Sequence, residues 1–156
     1  VIVIALLGSV FAFAEESNPG DSLYEIKTSI IEPIASVFAF TKEEKSEWQE
    51  RLIERRLKES EKLASVNELS EARRVSIENS IKTQLEKFST NVKDLVSQKD
   101  DAKETSDLCL RLQAVLATYQ NILEQVSQKT DINESTKKEI VTLLSTLKEV
   151  ESEVMG

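Results

Sequence analysis

Glycine is missing from the whole stretch between Gly20 and Gly156, and this stretch contains a single proline, Pro33. Tight turns and irregular loops depend on glycine because it adopts left-handed backbone angles at no steric cost. A chain of 156 residues with three glycines and two prolines therefore favours long helices joined by short polar turns. The predicted class is all-α, with one core in a single domain.

The same absences restrict the chemistry of the chain. It has no histidine, so histidine-based catalysis and histidine-ligated metal sites are excluded. No glycine-rich loop is present to hold a phosphate, and no glycine-flanked turn presents a nucleophilic serine. We therefore predict a protein that is not an enzyme and that holds no cofactor and no metal ion.

The formal net charge of −8 limits the range of partners. A polyanion is repelled by phosphates, so we expect no nucleic-acid partner and no attraction to an anionic membrane surface. We expect instead a protein partner, or self-association through helix faces.

Residues 1–14 form an uninterrupted apolar and small-residue segment, which Glu15 follows directly. Ala12 and Ala14 occupy the small-residue positions of a signal-cleavage site, and the segment is shorter than a membrane span of about 20 residues. This pattern predicts an exported protein with a cleaved signal peptide, and an uncleaved N-terminal anchor is the alternative. The location is extracytoplasmic in both cases, with membrane contact only through an uncleaved segment.

Apolar periodicity and capping signals organise the rest of the chain. Residues 15–21 form a polar linker, and residues 22–156 are predicted to form one elongated up-and-down bundle. Its first helix is kinked at Pro33, and about four long helices follow, over residues 41–66, 71–97, 102–126 and from about 132 to the end. Thr41 and Glu44 have capping-box spacing, while Ser70 and Asn133 are predicted N-caps.

Seams of apolar residues at alternating spacings of four and three indicate which sides of the helices are buried. We expect Trp48 to anchor the core from the helix over 41–66, and the only cysteine, Cys109, to lie at the edge of a seam. The predicted seams of the last three helices are Ile77, Ile81, Leu85, Phe88, Val92 and Leu95; Leu108, Leu112, Val115, Tyr119, Ile122 and Val126; and Ile140, Leu143, Leu147, Val150 and Val154.

Arg51, Arg55 and Arg56 form the main basic concentration of the chain. They are candidates for binding a carboxylate or phosphate of a partner. The helix over 41–66 contains seven basic and seven acidic residues, however, so a solvated, salt-bridged helix face is the competing interpretation.

Two segments carry a resemblance to a known family. PGDSLYEIK at 19–27 and FAFTKEEKSEWQERLIERRLKESEKL at 38–63 resemble an uncharacterised bacterial domain that follows a signal peptide or membrane anchor. Residues 106–126 are similar to a later Leu- and Ala-rich helix of that family. The resemblance implies an exported, helical, envelope-associated domain without assigned catalytic residues.

Together these observations favour a non-enzymatic, exported or anchored helical module of the bacterial cell envelope, with an interaction or structural role. One alternative is an envelope-stress chaperone or sensor that binds unfolded clients on an apolar face. Another is the extracytoplasmic domain of a membrane-anchored regulator.

Overall fold

A computed structural model describes residues 41–97 and 102–155, and these contain four helices and no strand. The helices are α1 (Lys42–Ser65), α2 (Glu71–Ser97), α3 (Ala102–Ser127) and α4 (Glu134–Met155). The predicted all-α, up-and-down bundle is confirmed for this part of the chain. The predicted signal segment, linker and kinked first helix lie outside the described residues.

The start of α1 carries the predicted capping box. The Glu44 backbone amide donates to the Thr41 hydroxyl at 3.1 Å, and the Glu44 carboxylate accepts from the Thr41 amide at 3.0 Å. The two residues thus satisfy each other's backbone donors at the helix end, where intrahelical partners are lacking.

The turn between α1 and α2 explains how the chain reverses without glycine. Asn67 adopts a φ of 60°, the only positive value among the described non-glycine residues. Its backbone amide donates to the Ala64 carbonyl, and the backbone amide of Glu68 donates to the Leu63 carbonyl. This pair of bonds is a Schellman motif, in which asparagine takes the position that glycine usually occupies.

The two later caps also agree with the sequence. The Ser70 hydroxyl accepts from the Arg73 amide at 3.4 Å, and the Asn133 side chain accepts from the Thr136 amide at 2.8 Å. Short polar residues therefore begin α2 and α4 where the sequence predicts.

One apolar core runs the length of the bundle and includes a residue of each turn, Leu69 and Ile132. The two turns are thereby anchored to the interior. The core residues of the helices are Ile53, Leu57, Leu63, Ala64, Ile77, Ile81, Leu85, Phe88, Leu95, Leu108, Leu112, Leu116, Tyr119, Leu123, Val126, Ile140, Leu143, Leu144, Leu147 and Val150.

The seams of α2 and α4 agree with the sequence except at Val92 and Val154, which are only partly buried, and the seam of α3 is rotated relative to the prediction. Val115 and Ile122, predicted inside, are only partly buried, whereas Leu116 and Leu123 are fully buried. Because α3 is apolar on two adjacent sides, its sequence permits either rotation, and packing against α1 and α4 decides between them.

The four helices form two antiparallel hairpins that lie side by side. α1 and α2 form the first hairpin, and α3 and α4 form the second. α1 packs beside α3, and α2 packs beside α4, whereas α1 and α4, like α2 and α3, lie on diagonals of the bundle. Asn67 of the first turn bonds to residues 131 and 133 of the second, so both turns are at the same end.

Candidate functional site

The three predicted partner-binding arginines do not converge on one site. Arg51 is exposed, lies 3.9 Å from the Glu47 carboxylate, and places its guanidinium 5.9 Å from the centre of the Trp48 ring. Arg55 is half-buried, and Arg56 is fully buried. The arginines therefore point in different directions around α1, and no common anion site results.

Arg56 is part of the interior of the fold. Its side chain is 0 % exposed, and its Nη1 atom donates to both carboxylate oxygens of Glu59 at 2.9 and 2.7 Å. The Glu59 side chain is 8 % exposed. Because this ion pair is shielded from water, Arg56 is a partner within the fold and does not offer its charge to a surface ligand.

Trp48 is half-buried and lies outside the core cluster, which corrects the prediction that it anchors the core. It lies at the edge of the buried side of α1, with Arg51 over its ring. Its indole Nε1 is shielded from solvent without a hydrogen-bond acceptor. A large indole at a helix flank covers apolar surface without entering the core.

Cys109 is partly buried against the core, at the seam edge where the sequence predicts it. Burial raises the pKa of its thiol. Because the thiolate is the reactive form of cysteine, this environment disfavours nucleophilic or redox chemistry.

A buried ionic network joins α2 to α4. Arg74 donates from Nη1 to Glu78 and from Nε to Glu139, both at 2.6 Å, and Thr146 donates its hydroxyl to Glu78 at 3.0 Å. The hydrogen bond to Glu139, followed by the contacts with Glu78, raises the pKa of Arg74. The spacing of Arg74 and Glu78 is a visible helix pair, but the sequence has no signal for Glu139 on a distant helix.

A second set of ion pairs joins α1 to α3. Arg111 donates to Glu50 from Nε at 3.2 Å and from Nη2 at 2.8 Å, and its Nη1 lies 3.2 Å from Glu47. The hydrogen bond to Glu50 is the main cause of the raised pKa of Arg111. Charged side chains thus link the hairpins along both pairs of neighbouring helices.

An open cleft of about 500 Å³ lies between the two turns. Arg73 on its wall donates to the Glu68 carboxylate at 3.0 Å, so its charge is paired within the fold. Ser70 and Asn133 already cap the two helix ends that face the cleft. The cleft is lined by Asn67, Glu68, Leu69, Ser70, Arg73, Asn133, Ser135 and Thr136.

The outward side of α3 differs in chemistry from the surface of α1. Residues 112–123 contain no charged side chain, whereas α1 has seven basic and seven acidic residues among 24. Leu110, one helical turn before Ala114, is 58 % exposed. We define the α3 outer face as the exposed residues of this side, which are Leu110, Ala114, Ala117, Thr118 and Asn121.

Two polar groups of the α3 outer face are bonded within α3. The Thr118 hydroxyl donates to the Ala114 carbonyl at 2.7 Å, and the Asn121 side-chain oxygen accepts from Gln125 at 2.6 Å. A partner that covers this face therefore buries no charge and few unsatisfied polar groups. We identify it as the candidate contact surface.

The model of a family described as a domain of unknown function, DUF5667, matches residues 16–153. The chain belongs to the DUF5667 family. The resemblance to an uncharacterised domain family is thus confirmed, and the match extends beyond the predicted 19–126 to include most of α4. Comparison with the curated proteins gave no match, and neither did comparison with the solved structures.

Within 41–97 and 102–155 of this DUF5667 domain, no group of three or more Cys, Asp or Glu side chains is arranged to hold a metal ion. Among the same residues, no helix has the length and apolar character that crossing a membrane requires. The signal-cleavage positions Ala12, Ala14 and Glu15 lie outside the described residues.

Proposed function

We propose that this DUF5667 domain is a non-enzymatic interaction module of the bacterial cell envelope, exported or anchored through residues 1–14. It binds another protein through the α3 outer face. The observation that carries the proposal is an uncharged, solvent-exposed face on a chain in which 31 % of the residues are charged.

The physical basis of the binding is the cost of removing charges from water. An interface that buries unpaired charges loses more free energy by desolvation than its contacts return, so the centres of protein interfaces are depleted in charged residues. Ala114 and Ala117 have small side chains, which allow a partner helix to approach the α3 backbone closely. Leu110 adds an exposed apolar side chain at one end of the face.

The extracytoplasmic location is supported by the sequence of residues 1–14, with its apolar run and the small residues Ala12 and Ala14 before Glu15. A fusion of residues 1–16 to a reporter enzyme that is active only outside the cytoplasm tests it. Active reporter supports export, and an inactive but stable fusion contradicts it. The N-terminal residue of the purified product distinguishes a cleaved signal from an anchor.

A chaperone role has less support in the described residues. The large apolar side chains that are exposed there lie on the first turn and on three helices, and the two that share α2, Val75 and Val96, lie near its opposite ends, while a client-binding surface requires a contiguous apolar patch. They are Val66, Val75, Val96, Leu110 and Val141.

The contact surface is tested with a photoreactive amino acid placed at Ala117 of the α3 outer face, and with a matched probe at Thr83, which is exposed on α2. Irradiation of intact cells is expected to link a discrete protein to position 117 and not to position 83. The linked protein is then purified, and its affinity for the domain is measured.

Ala114→Glu is expected to weaken this affinity at least tenfold, because it introduces a charge that the partner must desolvate. Thr83→Glu is the control and leaves the affinity unchanged. Equal linkage at positions 83 and 117, or an affinity that Ala114→Glu does not change, contradicts the proposed surface. Suppression of the aggregation of unfolded clients by the domain, unaffected by Ala114→Glu, indicates the chaperone function instead.

A further inference from the structure

One flank of α1 is buried although it lies outside the core of the four helices. Leu52 is 3 % exposed, yet it does not belong to the apolar cluster that runs through the bundle. Glu59, about two helical turns later on the same side, is 7 % exposed. The shared core of the four helices therefore does not account for the burial of this flank.

This flank borders α2 and forms a groove with it. The two helices are antiparallel, and Lys42 pairs with Asp94 at 3.1 Å. Leu52 is ten positions after Lys42 and Gln84 is ten positions before Asp94, so Leu52 and Gln84 lie at the same level of the hairpin. Glu78 contacts α4, and Gln84 lies on the opposite edge of the buried stripe of α2, toward α1. We define the α1–α2 groove as Trp48, Gln49, Leu52, Arg56 and Glu59 of α1 together with Gln84 of α2.

Three buried polar atoms of the α1–α2 groove have no hydrogen-bond partner among the described residues. They are Nε1 of Trp48, Oε1 of Gln49 and Oε1 of Gln84. Gln49 and Gln84 are 5 % and 9 % exposed, so solvent has little access to their side chains. Because buried polar groups in folded proteins are almost always paired, the groove matches an occupant that brings both hydrogen-bonding groups and apolar surface.

The segment that directly precedes α1 has this chemistry. Lys27 and Ser29 carry hydrogen-bond donors of the kind that the two glutamine oxygens lack, and the serine hydroxyl also accepts. They stand at the borders of an apolar stripe with helical spacing. The residues of this stripe are Leu23, Ile26, Ile30, Ile34 and Val37.

The length and the position of the segment in the chain also fit the groove. A helix of residues 22–37 is about 24 Å long, and Trp48 and Glu59 are about 17 Å apart along α1. The segment ends where α1 begins, so it is held beside the groove at a high effective concentration, whereas a separate molecule loses its freedom of motion on binding. The match to the DUF5667 family begins at residue 16, so the segment belongs to the same family unit as the four helices.

We propose that residues 22–40 of this chain occupy the α1–α2 groove, with their apolar stripe against Trp48 and Leu52. Polar groups of the segment supply the hydrogen bonds that Gln49 and Gln84 lack. The first hairpin then carries a fifth helical element on its outer side, and the folded unit of the domain begins before α1.

Trp48 is the only tryptophan of the chain, so its fluorescence reports on the groove alone. Ile30→Glu/Ile34→Glu places two charges on the apolar stripe of the segment. We expect the emission maximum of Trp48 to move to longer wavelength and its quenching by acrylamide to increase, because the charged stripe leaves the groove and water reaches the indole. The matched control Thr28→Glu/Ala35→Glu adds the same charge on the other side of the predicted helix and is expected to leave both signals unchanged.

Both variants are made in the full chain, and a cooperative urea transition shows that their four helices are folded. Trp48 signals that Ile30→Glu/Ile34→Glu leaves unchanged overturn the proposal. Equal changes in Ile30→Glu/Ile34→Glu and in the control also overturn it.

A second measurement does not depend on the folding of these variants. p-Benzoylphenylalanine replaces Trp48 in the otherwise unchanged full chain, and the products of irradiation are mapped by mass spectrometry after digestion. A link to residues 22–40 within one chain of 17.6 kDa supports the proposal. A link between two chains assigns the groove to a second copy, and links to α2 without any to the segment show that the segment lies elsewhere. Either result overturns the proposal.

The α1–α2 groove and the α3 outer face lie on different helices, so this inference stands apart from the proposed function. Ala114→Glu is expected to leave the emission and quenching of Trp48 unchanged. Ile30→Glu/Ile34→Glu is expected to leave cross-linking from position 117 unchanged. Failure of one proposal is thereby distinguished from failure of the other.

Discussion

Asn67 and Asn133 are joined across the two turns of the bundle by a hydrogen bond of 2.7 Å, which the backbone amide of Asn133 donates to the side-chain oxygen of Asn67. The Asn67 side-chain nitrogen donates to the Asp131 carbonyl at 2.9 Å. Asn67, which follows the end of α1, thus also positions Asn133, the N-cap of α4. Asn67 alone reverses the chain within the first hairpin and links that hairpin to the second by hydrogen bonds.

This double role predicts a graded loss of stability. Asn67→Gly keeps the left-handed backbone but removes two hydrogen bonds, so we expect the free energy of unfolding to fall by about 1–3 kcal/mol. Asn67→Ala additionally places a side chain with a Cβ at positive φ, which costs about 1–2 kcal/mol more. Urea unfolding followed by circular dichroism at 222 nm measures both, and Asn79→Ala on the exposed side of α2 is the control. Equal losses for the glycine and alanine variants contradict the backbone part of this account.

The buried Arg56–Glu59 pair predicts an asymmetric response to mutation. Arg56→Met leaves the Glu59 carboxylate buried without this guanidinium, so we expect a loss of about 3–5 kcal/mol in the free energy of unfolding. Removal of both charges in Arg56→Met/Glu59→Leu is expected to recover most of that loss, since neither member of this pair then stays buried without the other. The exposed Arg51→Met is the control, with a change below about 0.5 kcal/mol. A double variant as unstable as the single variant shows that the two charges do not act as a pair.

The rotation of α3 is tested by two truncations at neighbouring positions. Leu116 is fully buried, so Leu116→Ala is expected to lower the free energy of unfolding by about 2–5 kcal/mol through the cavity that it creates. Val115 is partly buried, and Val115→Ala is expected to cost less than about 1.5 kcal/mol. The reverse order of the two losses places Val115 in the core and contradicts the packing described above.

Local signals in the sequence were sufficient for the starts of three helices. The caps at Thr41, Ser70 and Asn133 act within four residues of chain, so their spacing alone predicts where α1, α2 and α4 begin. The Schellman turn at Asn67 is local as well, since its hydrogen bonds join residues between Leu63 and Glu68.

The contacts between helices were not predictable in the same way. Arg74 and Glu139 are 65 positions apart, and their pairing depends on how α2 and α4 are rotated against each other. Arg56 reads as a surface residue because it lies in a run of charged residues, yet packing around α1 buries it. A local pattern describes one helix at a time, whereas these burials are properties of the assembled bundle.

The buried Tyr119 predicts how stability changes at alkaline pH. Tyr119 is 8 % exposed. Its burial disfavours the charged phenolate and is the main reason why the pKa of its phenol lies above the usual value of about 10. Well below pH 10 the phenol is protonated in both the folded and the unfolded protein, so it adds no pH dependence. Above pH 10 the unfolded chain ionises first, and the free energy of unfolding is expected to fall as the pH rises.

Tyr119→Phe removes this contribution, so the stability of the variant is expected to fall less between pH 9 and pH 11 than that of the wild type. The pKa of Lys58 is raised mainly by its hydrogen bond to Glu54 and also by Tyr119, so the ultraviolet signal of the phenol, which Lys58 does not share, is the readout that isolates Tyr119. Ultraviolet titration at 295 nm assigns the midpoint of Tyr119 from the difference between the two proteins. A Tyr119 midpoint at or below 10 in the folded protein shows that its phenol is solvated, which is incompatible with its place in the core.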